Sequence, residues 1–307
     1  MNMRPKLSIP AQIADMKDAG ISFEIFSEKD AVKYLEKHAY YFRLKAYAKN
    51  YEKYSDTDKK DRYINLDFAY LVDLSEIDAL LRKVILDISM DLEYYLRVKL
   101  LSDFQIVDED GYEIVRELFN MQPTIMESIN DKANTSLSSD LVEKYKNNWA
   151  IWNIIEVLSL SQFTHLYGLF YSRNKFTDSH VKLLIPINKI RNAAAHGNCL
   201  INHFRPPHTA VISPSYELRN EVMQNTGVTK AALDKRLAHP AIHDFSALLY
   251  LYKRIVPLSK RLISTEKVKF LFYSRMVENK AYYTKNEVLQ ACYEFTCKIV
   301  DYYCDCS

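Results

Sequence analysis

Apolar residues recur every three or four positions along most of this chain, the period of a helix with one buried face. The clearest run lies between residues 66 and 101, where Leu71, Leu74, Ile77, Leu81, Val84, Ile85, Ile88, Leu92 and Leu96 keep that step with no Pro or Gly between them. It predicts one long helix, or two nearly collinear ones. Within it, Asp78 with Arg82 and Glu93 with Arg97 are i,i+4 acid-before-base pairs, each stabilising an exposed helix face by about 0.2–0.5 kcal/mol. Upstream, residues 9–21 read as a short helix stopped by Gly20, and Ser27 followed by Asp30 predicts an N-cap and a helix from about residue 28. Between 103 and 147 the pattern weakens into stretches such as Asp108-Glu109-Asp110-Gly111 and Asn134-Thr135-Ser136, which predict a loop-rich insertion with one or two short helices. An apolar helix is expected from Trp149 through Tyr171. Another is expected from Asp178 to His196, with Pro186 kinking it or opening its second half and Gly197 as the stop. Arg205-Pro206-Pro207 breaks the chain, and three or so helices come after it, including 241–254 and 285–304. No pair of β-branched runs is joined by an Asn-Gly or Asp-Gly turn, so the expected class is all-α.

Composition narrows the chemistry. The 307 residues include only 5 glycines, scattered singly, so no glycine-rich loop is available for P-loop, kinase or dinucleotide-fold chemistry. No window approaches 18 uninterrupted apolar residues, and Met1-Asn2-Met3-Arg4-Pro5-Lys6 shows no apolar leader; the expectation is a cytoplasmic protein with no membrane contact. Four of the five cysteines, Cys292, Cys297, Cys304 and Cys306, fall in the last 16 residues rather than along a framework, which favours reduced thiols. Cys304 and Cys306 form C-x-C, but the spacing to Cys297 suits no common zinc knuckle, and no metal or other cofactor is expected. The net charge of +2 hides an asymmetry: residues 1–150 carry 21 Lys/Arg against 27 Asp/Glu, and residues 151–307 carry 20 against 12. A basic half is the footprint of a chain that approaches phosphates, and equally of an ordinary solvated face.

The segment richest in chemistry is Ile190-Arg191-Asn192-Ala193-Ala194-Ala195-His196-Gly197-Asn198. On a helix Asn192 and His196 share a face, while Arg191 lies about 140° from His196 around the axis. One helix does not readily aim both at one atom. Three alanines, however, leave a shaved surface on which a second helix settles closely, so two copies about a two-fold axis would pool Arg191, Asn192 and His196. His196 before Gly197 suits proton transfer near neutral pH, and Arg191 suits a grip on phosphate. The plainer alternative is that Asn192 and His196 finish a helix end and Arg191 faces solvent.

Arg191-Asn192-x-x-x-His196 does not stand alone. Read with Tyr40-Tyr41-Phe42-Arg43-Leu44-Lys45-Ala46-Tyr47, with Leu66-Asp67-Phe68 leading to Ile77-Asp78-x-x-Leu81-Arg82, and with Trp152-x-x-x-Glu156-x-Leu158-Ser159, it resembles the Abi (AbiD/AbiF-like) abortive-infection family, in order over roughly residues 8–203. The resemblance implies a HEPN-like helical bundle in which Arg-x4–6-His motifs of two protomers form a metal-independent RNase site. It further implies an anti-phage, toxin-like endoribonuclease acting as a homodimer, restrained in some relatives by a small non-coding RNA. Arg191, Asn192 and His196 match the motif, and Glu93 and Glu156 match polar positions on neighbouring helices. After the histidine this chain has Cys199-Leu200-Ile201-Asn202 where an Arg-Leu-Trp-Asn-like run is common, which leaves local substrate or dimer contacts open.

The expected organisation is an N-terminal helical arm over 1–26, an Abi core over 27–204 and a basic, aromatic-rich helical extension over 205–307. From 253 to 285, nine basic residues, among them Lys253, Arg254, Lys260, Arg261, Lys267, Lys269 and Arg275, face only Glu266 and Glu278, with Tyr250, Tyr252, Phe270, Phe272, Tyr273, Tyr282 and Tyr283 interleaved. Cations for phosphate and aromatic faces for unstacked bases suit RNA, either substrate or cognate non-coding RNA. A helix with an aromatic core face and a lysine-rich outer face gives the same alternation. The alternative function is a non-catalytic RNA-binding regulatory protein on the same fold.

Overall fold

A helix of 37 residues, Phe68–Phe104, runs through the protein for about 55 Å at ~1.5 Å per residue. The computed structural model describes residues 6–55, 58–133, 137–146, 148–177, 180–206 and 212–305. Residues 1–5, 134–136, Asp178, Pro207 and Cys306, which figure in the expectations above, lie outside them. Three helices precede the long one: α1 (Ile9–Asp18), α2 (Glu28–Lys37) and α3 (Tyr41–Ala48), which makes Phe68–Phe104 α4. After it come α5 (Glu113–Met121), α6 (Pro123–Asp131), α7 (Ser139–Tyr145), the single turn α8 (Ile151–Ile154), α9 (Leu160–Arg173) and α10 (Val181–Ala195). The remainder holds α11 (Tyr216–Asn225), α12 (Lys230–Arg236), α13 (Pro240–Ile255) and α14 (Leu258–Phe270), then a π-helical turn (Leu271–Arg275), α15 (Met276–Glu278), a 3-10 turn (Lys280–Tyr283) and α16 (Glu287–Tyr303). Among the described residues there is no strand, only the isolated bridges Ser22–Asp67 and Lys53–Tyr63, and the fold is all-α.

Two apolar clusters share α4. Its first turns, through Phe68, Leu71 and Leu74, pack with Ile13 and Met16 of α1 and with Leu44 and Tyr47 of α3. From Ile77 onward it packs into a larger cluster with α9, α10, α13 and α16. Every residue from Ile242 to Tyr252 of α13 is buried, because this helix runs between α4, α10 and α16. The 205–307 region therefore has no core of its own: Leu248 and Ile299 belong to the same cluster as Ile190.

Local chemistry explains most of the boundaries. Ser27 accepts the Asp30 N–H at 3.2 Å and starts α2 at Glu28; Gly20, at φ +87°, closes the end of α1. The expected 149–171 helix is broken in two, because Ser159 and Gln162 form a reciprocal capping box (3.4 and 2.9 Å) that starts α9 afresh at Leu160. The expected insertion holds three short helices, α5 to α7; Ile114, Val115 and Leu118 give α5 a buried face against α9. Pro186 neither ends nor starts a helix: it lies inside α10, buried.

Asp67 ties the N-terminal arm to the long helix. One carboxylate oxygen accepts Ala69 N–H at 2.9 Å as the α4 cap, and the other accepts Ser22 Oγ at 2.7 Å and Glu24 N–H at 2.9 Å. Asp67→Ala removes a cap and orphans two further donors, an expected loss of roughly 2 kcal/mol or more in urea denaturation, whereas Asp67→Asn, which keeps the acceptor for the cap, loses less.

Candidate active site

The last turn of α10 carries the Arg191–His196 motif, and its backbone closes in the paired pattern that a glycine after a helix permits. Asn198 N–H donates to Ala193 O at 2.9 Å and Gly197 N–H donates to Ala194 O at 3.1 Å, with Gly197 in the left-handed region at φ +69°. His196 is the C-cap, its own N–H bonded to Asn192 O at 2.9 Å. Ala194 is buried while Ala195 and His196 are exposed, so the helix end is anchored from beneath and open above.

The structure brings Arg191 and Asn192 together. Arg191 Nη1 donates to Asn192 Oδ1 at 3.1 Å, and Asn192 Nδ2 donates to Asn188 Oδ1 at 3.1 Å. Asn188, one turn before Asn192 on the same face, is a member of this relay that sequence alone did not single out; its i−4 spacing was the available signal. Arg191 has no acidic partner among the described residues, and the His196 ring has no hydrogen bond among them.

A buried carboxylate fixes the segment beyond the histidine. Asp78, fully buried on α4, accepts the Leu200 N–H at 2.8 Å and the Ile201 N–H at 3.0 Å on Oδ1. Its Oδ2 accepts the Tyr47 hydroxyl at 2.9 Å and is bonded by Arg82, with Arg43 at 3.8 Å. Asp78 and Arg82 form the i,i+4 pair their spacing suggested, with Asp78 buried beneath Leu200 and Ile201 and Arg82 partly exposed. Burial pushes the Asp78 carboxyl above its ordinary value, while the Ile201 N–H, Arg82, Tyr47 and the Leu200 N–H pull it back down. The two arginines also reach the motif's carbonyls: Arg43 donates to Gly197 O, and Arg82 Nη1 to Asn198 O at 3.3 Å. Cations at the last carbonyls suit the negative end of α10. Asn50 adds a second tie, donating to Ile201 O at 2.8 Å and accepting Phe204 N–H at 2.8 Å. Beside Arg43, whose guanidinium lies 5.5 Å from the Tyr40 ring centre, Tyr40 and Phe42 are 62% and 81% exposed. Tyr40, tied to the motif through Arg43, and its neighbour Phe42 were not singled out from the sequence, although they sit in the segment that carries the family resemblance.

Neither Glu93 nor Glu156 is hydrogen-bonded to Arg191, Asn192 or His196 among the described residues. Glu93 is paired with Arg97 at 2.7 Å, and Arg97 also donates to Leu158 O at 3.2 Å; Glu93 is 15 residues beyond Asp78 on α4, about 22 Å along it. Glu156 is exposed in the turn between α8 and α9. Of the seven cations expected to meet RNA, Arg261 is buried, and Arg275 is held by Asp73 at 2.7 Å and Glu76 at 3.0 Å. Lys267 pairs with Asp87 at 2.7 Å, Arg254 with Glu221 at 3.1 Å, and Lys253 donates to Tyr302 O at 2.7 Å. Lys260 and Lys269 are exposed with no acidic partner among the described residues. Of the interleaved aromatics, Tyr250, Tyr252 and Phe272 belong to the core, and Phe270 and Tyr273 face solvent. No cluster of three or more His, Cys, Asp or Glu able to hold a metal occurs among the described residues, and none of their helices is long and apolar enough to cross a membrane.

A helical bundle whose motif helix is pinned through Asp78 and Arg43 has, in this chain, the signature segments of a known family at its pinning points. A family model described as Abi-like protein matches residues 33–202, from within α2 past the Asp78-bonded segment, and the chain belongs to that family. No curated protein and no solved structure matches it.

Asp78→Ala leaves the Leu200 and Ile201 N–H groups and the Tyr47 hydroxyl without their acceptor and removes the carboxylate facing Arg82 and Arg43, and the expected cost is about 3–5 kcal/mol in equilibrium unfolding. A smaller penalty, about 1–2 kcal/mol, is expected for Gly197→Ala, since an L side chain there must adopt the left-handed conformation while its Cβ meets only Arg43 Nη2 at 3.5 Å. Comparable stability of Asp78→Ala and wild type in the same titration would contradict the anchoring role.

Proposed function

We propose that this chain is an abortive-infection protein of the AbiD/AbiF-like branch, acting in the cytoplasm as a metal-independent endoribonuclease of the HEPN kind. The observation that carries this reading is the state of the motif: its backbone is bonded at every turn, while Arg191 lacks an acidic partner among the described residues and His196 is exposed. A positioned base and an unneutralised guanidinium are what cleavage at an RNA phosphate needs. The ribose 2′-hydroxyl attacks the adjacent phosphate, His196 transfers a proton, and Arg191 stabilises the charge of the phosphorane. The 5′-oxygen leaves, giving a 2′,3′-cyclic phosphate and a 5′-hydroxyl. Asn192, bonded to both Arg191 and Asn188, sets the direction of the guanidinium. Tyr40 and Phe42 supply stacking faces for unpaired bases next to the site.

Arg191 and His196 diverge by about 140° on a regular helix, so a complete site takes its groups from two copies, with the small exposed Ala195 beside His196 allowing the close approach, while Ala194 is turned into this chain's own core. A small non-coding RNA restraining the enzyme fits the same surface. Lys260 and Lys269 extend the area open to phosphates.

The test is incubation of purified wild type and His196→Ala with structured and single-stranded RNA in the presence of a chelator, mapping the cut ends. Wild type is expected to leave cyclic phosphates and His196→Ala to cut at least about 100-fold more slowly with unchanged folding. Tight binding without cutting by either protein, with or without the restraining RNA removed, would overturn the enzymatic reading in favour of an RNA-binding regulator.

A further inference from the structure

A polar cavity of about 390 Å³ lies apart from the motif, where three distant stretches meet: the turn after α1 at Gly20–Ile25, the start of α4 at Asn65–Tyr70, and residues 281–286 before α16. One side is a run of aromatic rings. Tyr51 stacks with Tyr70 at 6.4 Å between centroids, and Tyr70 with Tyr282 at 4.9 Å, with interplanar angles of 26° and 29°. Tyr51 is 6% exposed, and its hydroxyl lies against the Asn286 amide. The neighbouring Asn286 amide is already engaged, donating to Asn50 O at 3.1 Å and accepting the Leu289 N–H at 3.1 Å.

The rim adds charge and hydrogen-bonding edges. Asn65 is exposed at φ +51°, and neither Glu24 nor Lys285, both on the rim, has an ion-pair partner among the described residues. An aromatic wall of three rings, the Asn65 amide, the Glu24 carboxylate and the Lys285 ammonium match the parts of a nucleotide, while the second lining carboxylate, Asp67, is taken up by Ser22, the Glu24 N–H and the Ala69 N–H. The base lies against the tyrosines, sugar hydroxyls meet Glu24 and Asn65, and the phosphate meets Lys285. A purely apolar ligand would leave the charges of Glu24 and Lys285 unanswered.

We infer that this cavity binds one unpaired ribonucleotide, either a free nucleoside monophosphate or a single splayed residue of an RNA strand. The site communicates with the motif segment through one residue. Asn50, which accepts the Asn286 amide on its carbonyl, also holds Ile201 O and Phe204 N–H by its side chain. A nucleotide seated on Tyr51 and Asn286 therefore loads the same segment that leaves His196. The inference rests on the cavity and not on cleavage, so its failure leaves the ribonuclease reading standing.

The test is calorimetric titration of the full chain with the four 5′-ribonucleoside monophosphates, their nucleosides, and a short single-stranded oligoribonucleotide, the last on a His196→Ala background so that nothing is cut. Tyr282→Leu is expected to weaken binding about ten-fold, the effect of one lost stacking face. Lys285→Gln, at an exposed position that the fold does not need, is expected to weaken the monophosphates while leaving the nucleosides unchanged. Binding of monophosphates with this pattern identifies a free nucleotide as occupant; an effect of both variants on the oligoribonucleotide alone identifies an RNA residue. Should Tyr282→Leu unfold, Asn65→Ala with Lys285→Gln carries the same comparison. No binding by any monophosphate, together with oligoribonucleotide affinity unchanged in these variants, overturns the inference.

Discussion

The Asp78 carboxylate is the interaction on which the rest of the candidate site depends. Removing a charge from water is costly, and a fold keeps such a group only when the surrounding donors answer it in full. Here two consecutive N–H groups, a buried tyrosine hydroxyl and Arg82 do so, with Arg43 close behind. Those donors come from α3, from α4 itself and from the segment after α10, three stretches with no local reason to meet. Once they meet at Asp78, the chain leaving His196 has one path. Arg43 and Arg82, oriented by the same carboxylate, are then placed to take the carbonyls of Gly197 and Asn198.

The same logic, repeated along α4, accounts for the uneven charge of the chain. Asp73 holds Arg275, Asn279 and Tyr283; Asp87 holds Lys267; Asp91 accepts the Tyr252 hydroxyl. Elsewhere Glu109, Glu113 and Glu117 converge on Arg173. The acidic first half and the basic second half are to that extent partners within one molecule. A basic excess in sequence therefore overstates the free positive surface, and among the cations left without acidic partners in the described residues are Arg191 at the motif, Lys260 and Lys269 on α14 and Lys285 at the tyrosine cavity.

Features set by near neighbours were legible in the sequence, and features set by long-range contacts were not. The long helix, the Ser27 cap and the Gly197 stop derive from spacing and cap chemistry within a few residues, and each is found where expected. Glu93–Arg97 forms as its spacing suggests. The spacing of Asp78 and Arg82 is identical, yet one pair is half-buried scaffold and the other a sealed hub, because only tertiary packing brings Leu200 and Ile201 over Asp78. Arg261 shows the converse: in sequence it is one more cation in a basic run, and in the fold it is on the inner face of α14. Asn188 escaped notice because asparagine has no fixed meaning mid-helix until the Asn192 amide is seen to need an acceptor.

In this helix end the atoms that hold the segment differ from the side chains that stay open. A motif held by its side chains would sacrifice them, since a guanidinium in a salt bridge or an imidazole in a hydrogen bond is less available to a substrate. Here the holding is done by main-chain groups: Ala193, Ala194, Gly197 and Asn198 carbonyls are each taken by a donor, and the Leu200 and Ile201 N–H groups go to Asp78. The glycine makes this arrangement feasible, because only the left-handed turn at Gly197 lets the chain fold back under the helix and still present its carbonyl to Arg43. Arg43, Tyr47, Asp78, Arg82 and Gly197 thus form the scaffold that holds the backbone in place. His196 and, apart from its bond to Asn192, Arg191 are the side chains it leaves open, and that division explains why the family resemblance spreads over so many residues of the scaffold.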